Sequence, residues 1–366
     1  MQDYVWALCR EIEMLSASAA GQIAVSTVFF GGGTPSLLRI DMVQQIMRTL
    51  SQNFELEEDV EVTLEANPGT LSPEYLYQLR WTGINRLSLG MQSAKPEELR
   101  LLERQHDFFD IIQAVRWARD ANFSNINLDL IFGLPEQTLD SWQNSLELAC
   151  NFNPEHLSLY SLTLEHGTPM QHWSEKGLIS QPDPDIAADM YEWASEFLLS
   201  NDYIQYEISN WASRGPDNDL LSCRHNLQYW RLGPYLGLGA GAHGYFDGMH
   251  TVNVLSPAIY IKRLRVHSAA PIAKFPRTAA TYSSESIDAQ REMGEVMMMG
   301  LRLTREGVSN SSFINRFGQS IIDIYGLQID KLIKLGLLEW NGQDNNTLRL
   351  TKPGRLLGNQ VFLEFV

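Results

Sequence analysis

The chain of 366 residues carries 44 Asp and Glu against 28 Lys and Arg, a formal net charge of −16. This length can hold a large core, most naturally as two domains. The acidity disfavours nucleic acid as the main partner, because phosphate binding needs a clustered positive field. No apolar run is long enough to span a bilayer, and residues 1–10 lack the pattern of a signal peptide, so we expect a cytoplasmic protein.

The three cysteines, Cys9, Cys150 and Cys223, are far apart in the sequence and form no CxxC or CxxxCxxC group. This spacing excludes a disulfide framework and a zinc site built from neighbouring cysteines.

Helix and strand patterns alternate through roughly the first 200 residues. The apolar spacing predicts helices over 3–15, 40–54, 96–102, 108–121, 141–149 and 184–199, with a further helix capped by Ser72. The strand patterns cover 25–30, 60–64, 86–89, 126–132, 156–162 and 203–206. This rhythm predicts a parallel sheet with helices outside, curled or closed as a barrel. Because the pattern opens with a helix, we expect that the first barrel strand is missing and that the strand at 25–30 lies at an edge.

A glycine loop follows the first predicted strand. Gly31, Gly32 and Gly33 come directly after the β-branched and aromatic run, then Thr34 as a candidate helix N-cap and Pro35 as the first helical residue. Bare backbone at the carboxyl end of a strand is typical of ligand sites in α/β proteins. The alternative is a tight turn without a ligand, but three successive glycines favour close approach of a ligand to the backbone.

Polar residues recur where the predicted strands end. We expect them to converge on one pocket, as they do at the carboxyl face of such sheets. They are Thr34, Glu65, Gln92, Asp129 and Thr163.

The sequence changes character after residue 207. Residues 257–281 contain no Asp or Glu, which is compatible with a site for a carboxylate-bearing ligand or with a solvated connector. The basic residues of this segment are Lys262, Arg263, Arg265, His267, Lys274 and Arg277. From residue 285 onward, helices followed by a predicted hairpin through 341–346 indicate a winged-helix-like module, which we interpret as a structural or lid domain.

Seven blocks resemble, in order, a known family: FFGGGTPS, LEANPGT, INRLSLGMQS, NLDLIFGLPEQT, YEISNWA, CRHNLQYW and LGLGAGAH. They are similar to the radical S-adenosylmethionine (SAM) family of oxygen-independent coproporphyrinogen III oxidase-like proteins, and more closely to its haem-chaperone branch. The resemblance implies an α/β fold, a partial (β/α)6-type radical SAM barrel lacking its first strand. It also implies a barrel core over 1–245, a connector over 246–284 and a HemN-type C-terminal domain over 285–366.

The resemblance implies a SAM site. Gly32, Gly33 and Thr34 would lie along the methionyl amine, and Glu65 would reach the amine or the ribose. Gln92, Arg104 and Asp129 would hold the ribose and carboxylate, with Arg104 supplying a bidentate fork. Thr163 would line the pocket further along.

The resemblance also implies a haem site at the motif His225–Trp230. A neutral imidazole can ligate haem iron, so His225 is the candidate axial ligand. Tyr229 and Trp230 would pack on the macrocycle. Cys223 is an alternative iron ligand, and the role of His243 is open.

One family feature has no counterpart here. Radical SAM proteins hold a [4Fe–4S] cluster through a CxxxCxxC loop, whereas this sequence has no such motif. We therefore expect a start displaced downstream of the true one, with SAM and cluster binding in a full-length form. A relative that never holds a cluster is the alternative.

The leading functional prediction is a haem chaperone that delivers haem to an acceptor apoprotein. The alternatives are a coproporphyrinogen III oxidase that decarboxylates porphyrinogen propionates, and a barrel enzyme unrelated to SAM that uses the glycine loop for a phosphate.

Overall fold

The structure is a computed structural model that describes residues 1–266, 274–342 and 346–366. His267 of the basic segment and the centre of the predicted turn at 341–346 lie outside the described residues. The chain forms two compact units. One comprises Met1–Val28, Leu38–Glu61 and Arg224–Val366; the other comprises Phe29–Leu37 and Val62–Cys223. The division into 1–245, 246–284 and 285–366 stays a prediction.

The helices are, in chain order, α1 (Gln2–Ser18), α2 (Ile40–Asn53), α3 (Pro73–Trp81), α4 (Pro96–Leu101), α5 (Phe108–Asp120), α6 (Leu139–Cys150), α7 (Pro169–Glu175), α8 (Pro184–Ser200), α9 (Arg224–Trp230), α10 (Pro257–Val266), α11 (Ala289–Gly300), α12 (Asn310–Phe317), α13 (Ile321–Lys334), α14 (Lys352–Leu356) and α15 (Gly358–Phe362).

The strands are β1 (Ala24–Phe30), β2 (Glu55–Ala66), β3 (Arg86–Gln92), β4 (Ile126–Phe132), β5 (His156–Ser161), β6 (Ile204–Glu207), β7 (Asn210–Ala212), β8 (His243–Phe246), β9 (Met249–Asn253), β10 (Thr281–Ser286), β11 (Val308–Ser309), β12 (Leu338–Asn341) and β13 (Thr347–Leu350).

The main sheet has seven strands in the order β1-β2-β3-β4-β5-β7-β6 and curls into an incomplete barrel. Neighbours from β2 to β5 pair in parallel, as the alternation of strands and helices predicts. The strand β1 lies at one end of this order, which is the edge position that the sequence predicts. The α/β barrel-like architecture expected from the sequence is thus confirmed.

The far edge of the sheet differs from the simple βα repeat. The strand β7, which we did not predict, lies between β5 and β6 and is antiparallel to both. Only Ile208 and Ser209 separate β6 from β7, so the chain turns back as a tight hairpin. A connection this short cannot return the chain to a parallel position, because parallel pairing needs a long crossover.

The helix expected to begin at Thr34 is also different. A short 3₁₀ helix spans Pro35–Leu37, and α2 begins only at Ile40 after Arg39, so Thr34 is not the cap of a regular helix. Ser72 does cap α3, because its side chain accepts a hydrogen bond from the backbone N–H of Tyr75.

The unit that contains α1 is held together by a buried carboxylate. Glu11 is fully buried and accepts hydrogen bonds from four donors that belong to distant segments. The donors are Gly239 N–H (2.8 Å), Asn253 Nδ2 (2.8 Å), Tyr260 Oη (2.7 Å) and Thr278 Oγ1 (2.8 Å). Burial raises the pKa of Glu11, while the four donors oppose that effect. These four hydrogen bonds fix the positions of the donor segments relative to α1. A purely apolar core would not specify those positions as closely, because apolar contacts have no preferred direction.

The segment 246–284, predicted as a connector, contains regular structure. The strands β8, β9 and β10 form an antiparallel sheet, and α10 packs with α1 around Tyr260 and Leu264. Further on, β12 and β13 form the hairpin that the sequence predicts, and β11 joins them as a third strand. Helices beside a small antiparallel sheet agree with the winged-helix-like module expected here.

Candidate functional site

The glycine loop lies at the carboxyl end of β1 and is exposed from Gly31 to Thr34. Gly32 has a φ of +80°, a conformation that favours glycine. A Cβ at Gly31 would lie 2.7 Å from the Phe29 ring and 3.1 Å from the Glu65 carboxylate, whereas Gly32 and Gly33 face open space. Two of the three glycines are therefore required by the fold itself, and the loop leaves room beside Gly32 and Gly33.

Glu65, at the end of β2, is half-buried and lies against this loop. Burial and the nearby charge of Asp129 raise the pKa of Glu65 to about 7, although its carboxylate accepts the backbone N–H of Gly32. The structure thus brings together three of the predicted SAM contacts: Gly32, Glu65 and Asp129.

Asp129 belongs to a network of polar side chains along the sheet. It accepts hydrogen bonds from Ser88 Oγ at 3.0 Å and from Asn127 Nδ2 at 2.8 Å. Burial raises the pKa of Asp129, and these donors act in the opposite direction. Two carboxyl groups whose charged forms disfavour each other tend to share a proton or to attract a cation.

The network continues to His156 and Ser158 of β5. Asn127 Oδ1 lies 2.6 Å from His156 Nδ1, and Ser158 Oγ donates to Asn210 Oδ1 at 2.6 Å. Burial lowers the pKa of His156 well below its ordinary value, so the ring is neutral. Sequence reasoning missed these residues because it considered the carboxyl ends of the strands, whereas His156 begins β5 and Ser158 lies within it. The polar alternation Asn127, Asp129 and His156, Ser158 was the available signal.

The structure describes the burial and local contacts of the other predicted SAM contacts. Gln92 is buried and has a φ of +65°, and its Nε2 lies 2.8 Å from where a Cβ at Gly90 would be. Arg104 and Thr163 are exposed, and within the described residues Arg104 forms no ion pair. The expectation that the strand-end residues converge on one pocket stays a prediction for Thr34, Gln92 and Thr163, and the contact of Arg104 with a SAM carboxylate stays a prediction as well.

The predicted haem ligand His225 lies in the first turn of α9 and is half-buried. The carboxylate of Glu61 accepts the backbone N–H groups of Arg224 (3.1 Å) and His225 (3.0 Å), which fixes the start of this short helix. Both ring nitrogens of His225 are hydrogen-bonded: Nδ1 to Thr27 Oγ1 at 2.8 Å and Nε2 to Tyr229 Oη at 2.9 Å.

Two further aromatic residues of the motif make contacts beyond the imidazole. Tyr229 contacts Tyr235 edge-on, with ring centroids 4.5 Å apart. The Arg302 guanidinium lies 4.3 Å from the ring centre of Trp230. Trp230 also lines a groove of about 380 Å³ together with Leu303, Phe313 and Arg316. Of the alternatives, Cys223 is buried and His243 is exposed.

The described part of the chain was also compared with the ligand sets of metal ions. Among the described residues, no three His, Cys, Asp or Glu side chains come together as a possible metal site. The described residues therefore do not fit a [4Fe–4S] cluster, which requires thiolates grouped around it. The same part of the chain contains no helix long and apolar enough to cross a bilayer.

Comparison with known proteins identifies the family. The model of the radical SAM superfamily matches residues 3–149, and that of the HemN C-terminal domain matches residues 287–357. The heme chaperone HemW of Bacillus subtilis (strain 168) is 35% identical over 368 residues, which cover 100% of this chain and 92% of that protein. This chain belongs to the HemW family. The expected resemblance to the haem-chaperone branch of the radical SAM proteins is confirmed.

Further comparisons agree with membership of the HemW family. The heme chaperone HemW of Synechocystis is 38% identical over 304 residues, 82% of this chain and 69% of that protein. Coproporphyrinogen III oxidase (HemN) from Escherichia coli, described as a radical SAM enzyme, superposes with a TM-score of 0.82 over 100% of this chain and 82% of that one. At 23% identity this likeness shows the fold alone.

Proposed function

We propose that this chain binds haem through His225, passes it to an acceptor apoprotein and does so in the cytoplasm. The observation that carries the proposal is the oriented imidazole of His225 at the start of α9, in a member of the HemW family. A histidine that ligates haem iron does so as a neutral imidazole, and a hydrogen bond to its second nitrogen sets the tautomer and the direction of the ligating nitrogen.

The Thr27 hydroxyl supplies such a bond. In the tautomer with the proton on Nδ1, the ring donates to Thr27 Oγ1 at 2.8 Å, and the lone pair of Nε2 points to Tyr229. The two N–H bonds to Glu61 hold the backbone beneath the ring. Thr27 belongs to β1 and Glu61 belongs to β2. The proposed iron ligand, His225, is therefore supported by two strands of a sheet and not by a loop.

We also propose that SAM binds beside the glycine loop. Carboxylates at Glu65 and Asp129 suit the methionyl ammonium and the ribose hydroxyl groups, and the open face at Gly32 and Gly33 leaves space for the methionyl chain. Thr34, Gln92, Arg104 and Thr163 complete the proposed contacts, with the exposed guanidinium of Arg104 available to a carboxylate. The cluster that SAM chemistry requires has no ligand set among the described residues, so we derive no radical step.

Titration of the purified protein with haem tests the first proposal. The wild type should give a shifted Soret band and a saturable binding curve, and His225→Ala should lose both. His166→Ala is the matched control, because it removes an exposed histidine that belongs to neither proposed site and should leave the spectrum unchanged. Transfer is measured by mixing haem-loaded protein with a haem-scavenging apoprotein. A wild type without a Soret shift, or equal binding by His225→Ala, would contradict haem ligation at this residue.

Coproporphyrinogen III oxidation remains the second candidate, favoured only by the family and the shared fold. We expect no turnover of coproporphyrinogen by this chain after iron and sulfide reconstitution. Isothermal titration with SAM separately tests the proposed SAM contacts.

A further inference from the structure

The hydroxyl group of Tyr229 occupies the nitrogen of His225 that an iron would need. Coordination uses the lone pair of one ring nitrogen, and both nitrogens already have partners. Haem iron therefore cannot bond to His225 until one of these two hydrogen bonds breaks.

The two partners differ in their freedom to move. Thr27 has a short β-branched side chain on β1, and such side chains are restricted at χ1. Tyr229 lies one helical turn after His225 and reaches Nε2 with a long side chain. Rotation of the Tyr229 side chain removes its hydroxyl from the imidazole, whereas removal of the Thr27 hydroxyl requires a change at the restricted χ1 of a residue inside a strand. Nε2 is consequently the nitrogen that can become available.

Two aromatic contacts, one on each side, hold the Tyr229 ring in its observed position. Its ring meets the His225 ring edge-on at 4.9 Å between centroids and with an interplanar angle of 86°. On the other side it meets Tyr235 edge-on at 4.5 Å and 82°. Edge-to-face contacts of this kind stabilise one ring orientation. The hydroxyl therefore returns to Nε2 whenever no other ligand holds that nitrogen.

We propose that Tyr229 is a positioning residue that covers Nε2 of His225 in the haem-free chain, and that Thr27 keeps the ring in place while Tyr229 moves away. This inference rests on the proposed role of His225 as the iron ligand. The Tyr229 hydroxyl raises the Kd for haem above that of an imidazole with a free Nε2. The reason is that only the molecules in which Tyr229 is displaced can bind haem. A protein that transfers haem to an acceptor benefits from this weaker binding, since the Tyr229 hydroxyl competes with iron for Nε2.

Two substitutions separate the roles. Tyr229→Phe keeps the ring contacts and removes the hydroxyl, so the Kd for haem should fall about two- to tenfold, the range that one hydrogen bond represents. Thr27→Val removes the partner of Nδ1 while keeping the side-chain shape, so the Kd should rise by a similar factor. Tyr235→Phe is the matched control, because it deletes a hydroxyl one ring further away, and its Kd should equal that of the wild type.

A second measurement needs no haem. Diethyl pyrocarbonate modifies unprotonated imidazole nitrogens, and peptide mass spectrometry reports the rate at His225. Tyr229→Phe should accelerate modification of His225 several-fold, and Tyr235→Phe should not. An unchanged modification rate in Tyr229→Phe, or haem binding by this variant no tighter than that of the wild type, would overturn the inference. If instead His225→Ala binds haem normally, the proposed iron ligand is wrong, and the modification rates still decide whether Tyr229 covers Nε2.

Discussion

The carboxyl group of Glu65 should make the protein less stable as the pH rises from about 4.5 to about 7. Its pKa is about 7 in the folded chain, against an ordinary value of 4.5, because burial and the Asp129 charge disfavour ionisation. At pH values between these two pKa values, the folded state binds more protons than the unfolded state. The free energy of unfolding therefore decreases as the pH rises through this window and levels off above it.

The size of this effect follows from the two pKa values. The difference between 4.5 and about 7 corresponds to about 3 kcal/mol. Glu65 is only half-buried, so solvent screening reduces the effect to about 2 kcal/mol. Glu65→Gln replaces the ionisable group with a neutral one of the same shape. The variant should match the wild type at about pH 4, below both pKa values, and exceed its free energy of unfolding by about 2 kcal/mol at about pH 8.

Urea unfolding at both pH values measures this difference directly. Glu58→Gln, which removes an exposed carboxylate from the same strand, is the control and should behave as the wild type at both pH values. A Glu65→Gln variant that is less stable than the wild type at pH 8 would refute the reasoning. That result would mean that Glu65 is ionised and stabilising in the folded chain.

Five other substitutions, at four positions, test the same structure. Asp129→Asn removes the neighbouring charge, so the pKa of Glu65 should fall and the pH dependence of urea unfolding should weaken. Glu11→Ala leaves four buried donors without an acceptor and should lower the free energy of unfolding by about 3–5 kcal/mol, with Glu11→Gln costing about half as much in the same assay. Gly32→Ala should cost about 1–2 kcal/mol because of its positive φ, whereas Gly33→Ala, at an ordinary φ with open space around it, should leave the thermal midpoint nearly unchanged.

Local sequence patterns were sufficient for most elements of the fold. The apolar spacing placed α1, α5 and α8 within a few residues of their observed ends, because one buried face per helix imposes a period of 3.6 residues. The run Ile126–Phe132 was predicted with the bounds of β4, since a short and mostly apolar run that ends at Gly133 is typical of an inner strand of a parallel sheet. The position of β7 was not predictable in this way, because strand order depends on pairing between distant residues.

The same distinction between local patterns and distant contacts applies to the candidate site. The glycine loop and the motif His225–Trp230 are contiguous in the sequence, so their residue types alone indicated the family. The partner of His225 Nδ1 is not contiguous: Thr27 lies 198 residues earlier in the chain. No property of the motif could have named Thr27, or shown that the Tyr229 hydroxyl covers the other nitrogen.

The sequence by itself determined the succession of strands and helices, the glycine loop at the end of β1 and the family to which the chain belongs. These features depend on residues that are close together along the chain. The tertiary structure decided that Glu65 and Asp129 repel each other, that Gly32 donates to Glu65 and that both nitrogens of His225 are occupied. Charge repulsion, burial and hydrogen bonding depend on distances in space, and only the folded chain sets those distances.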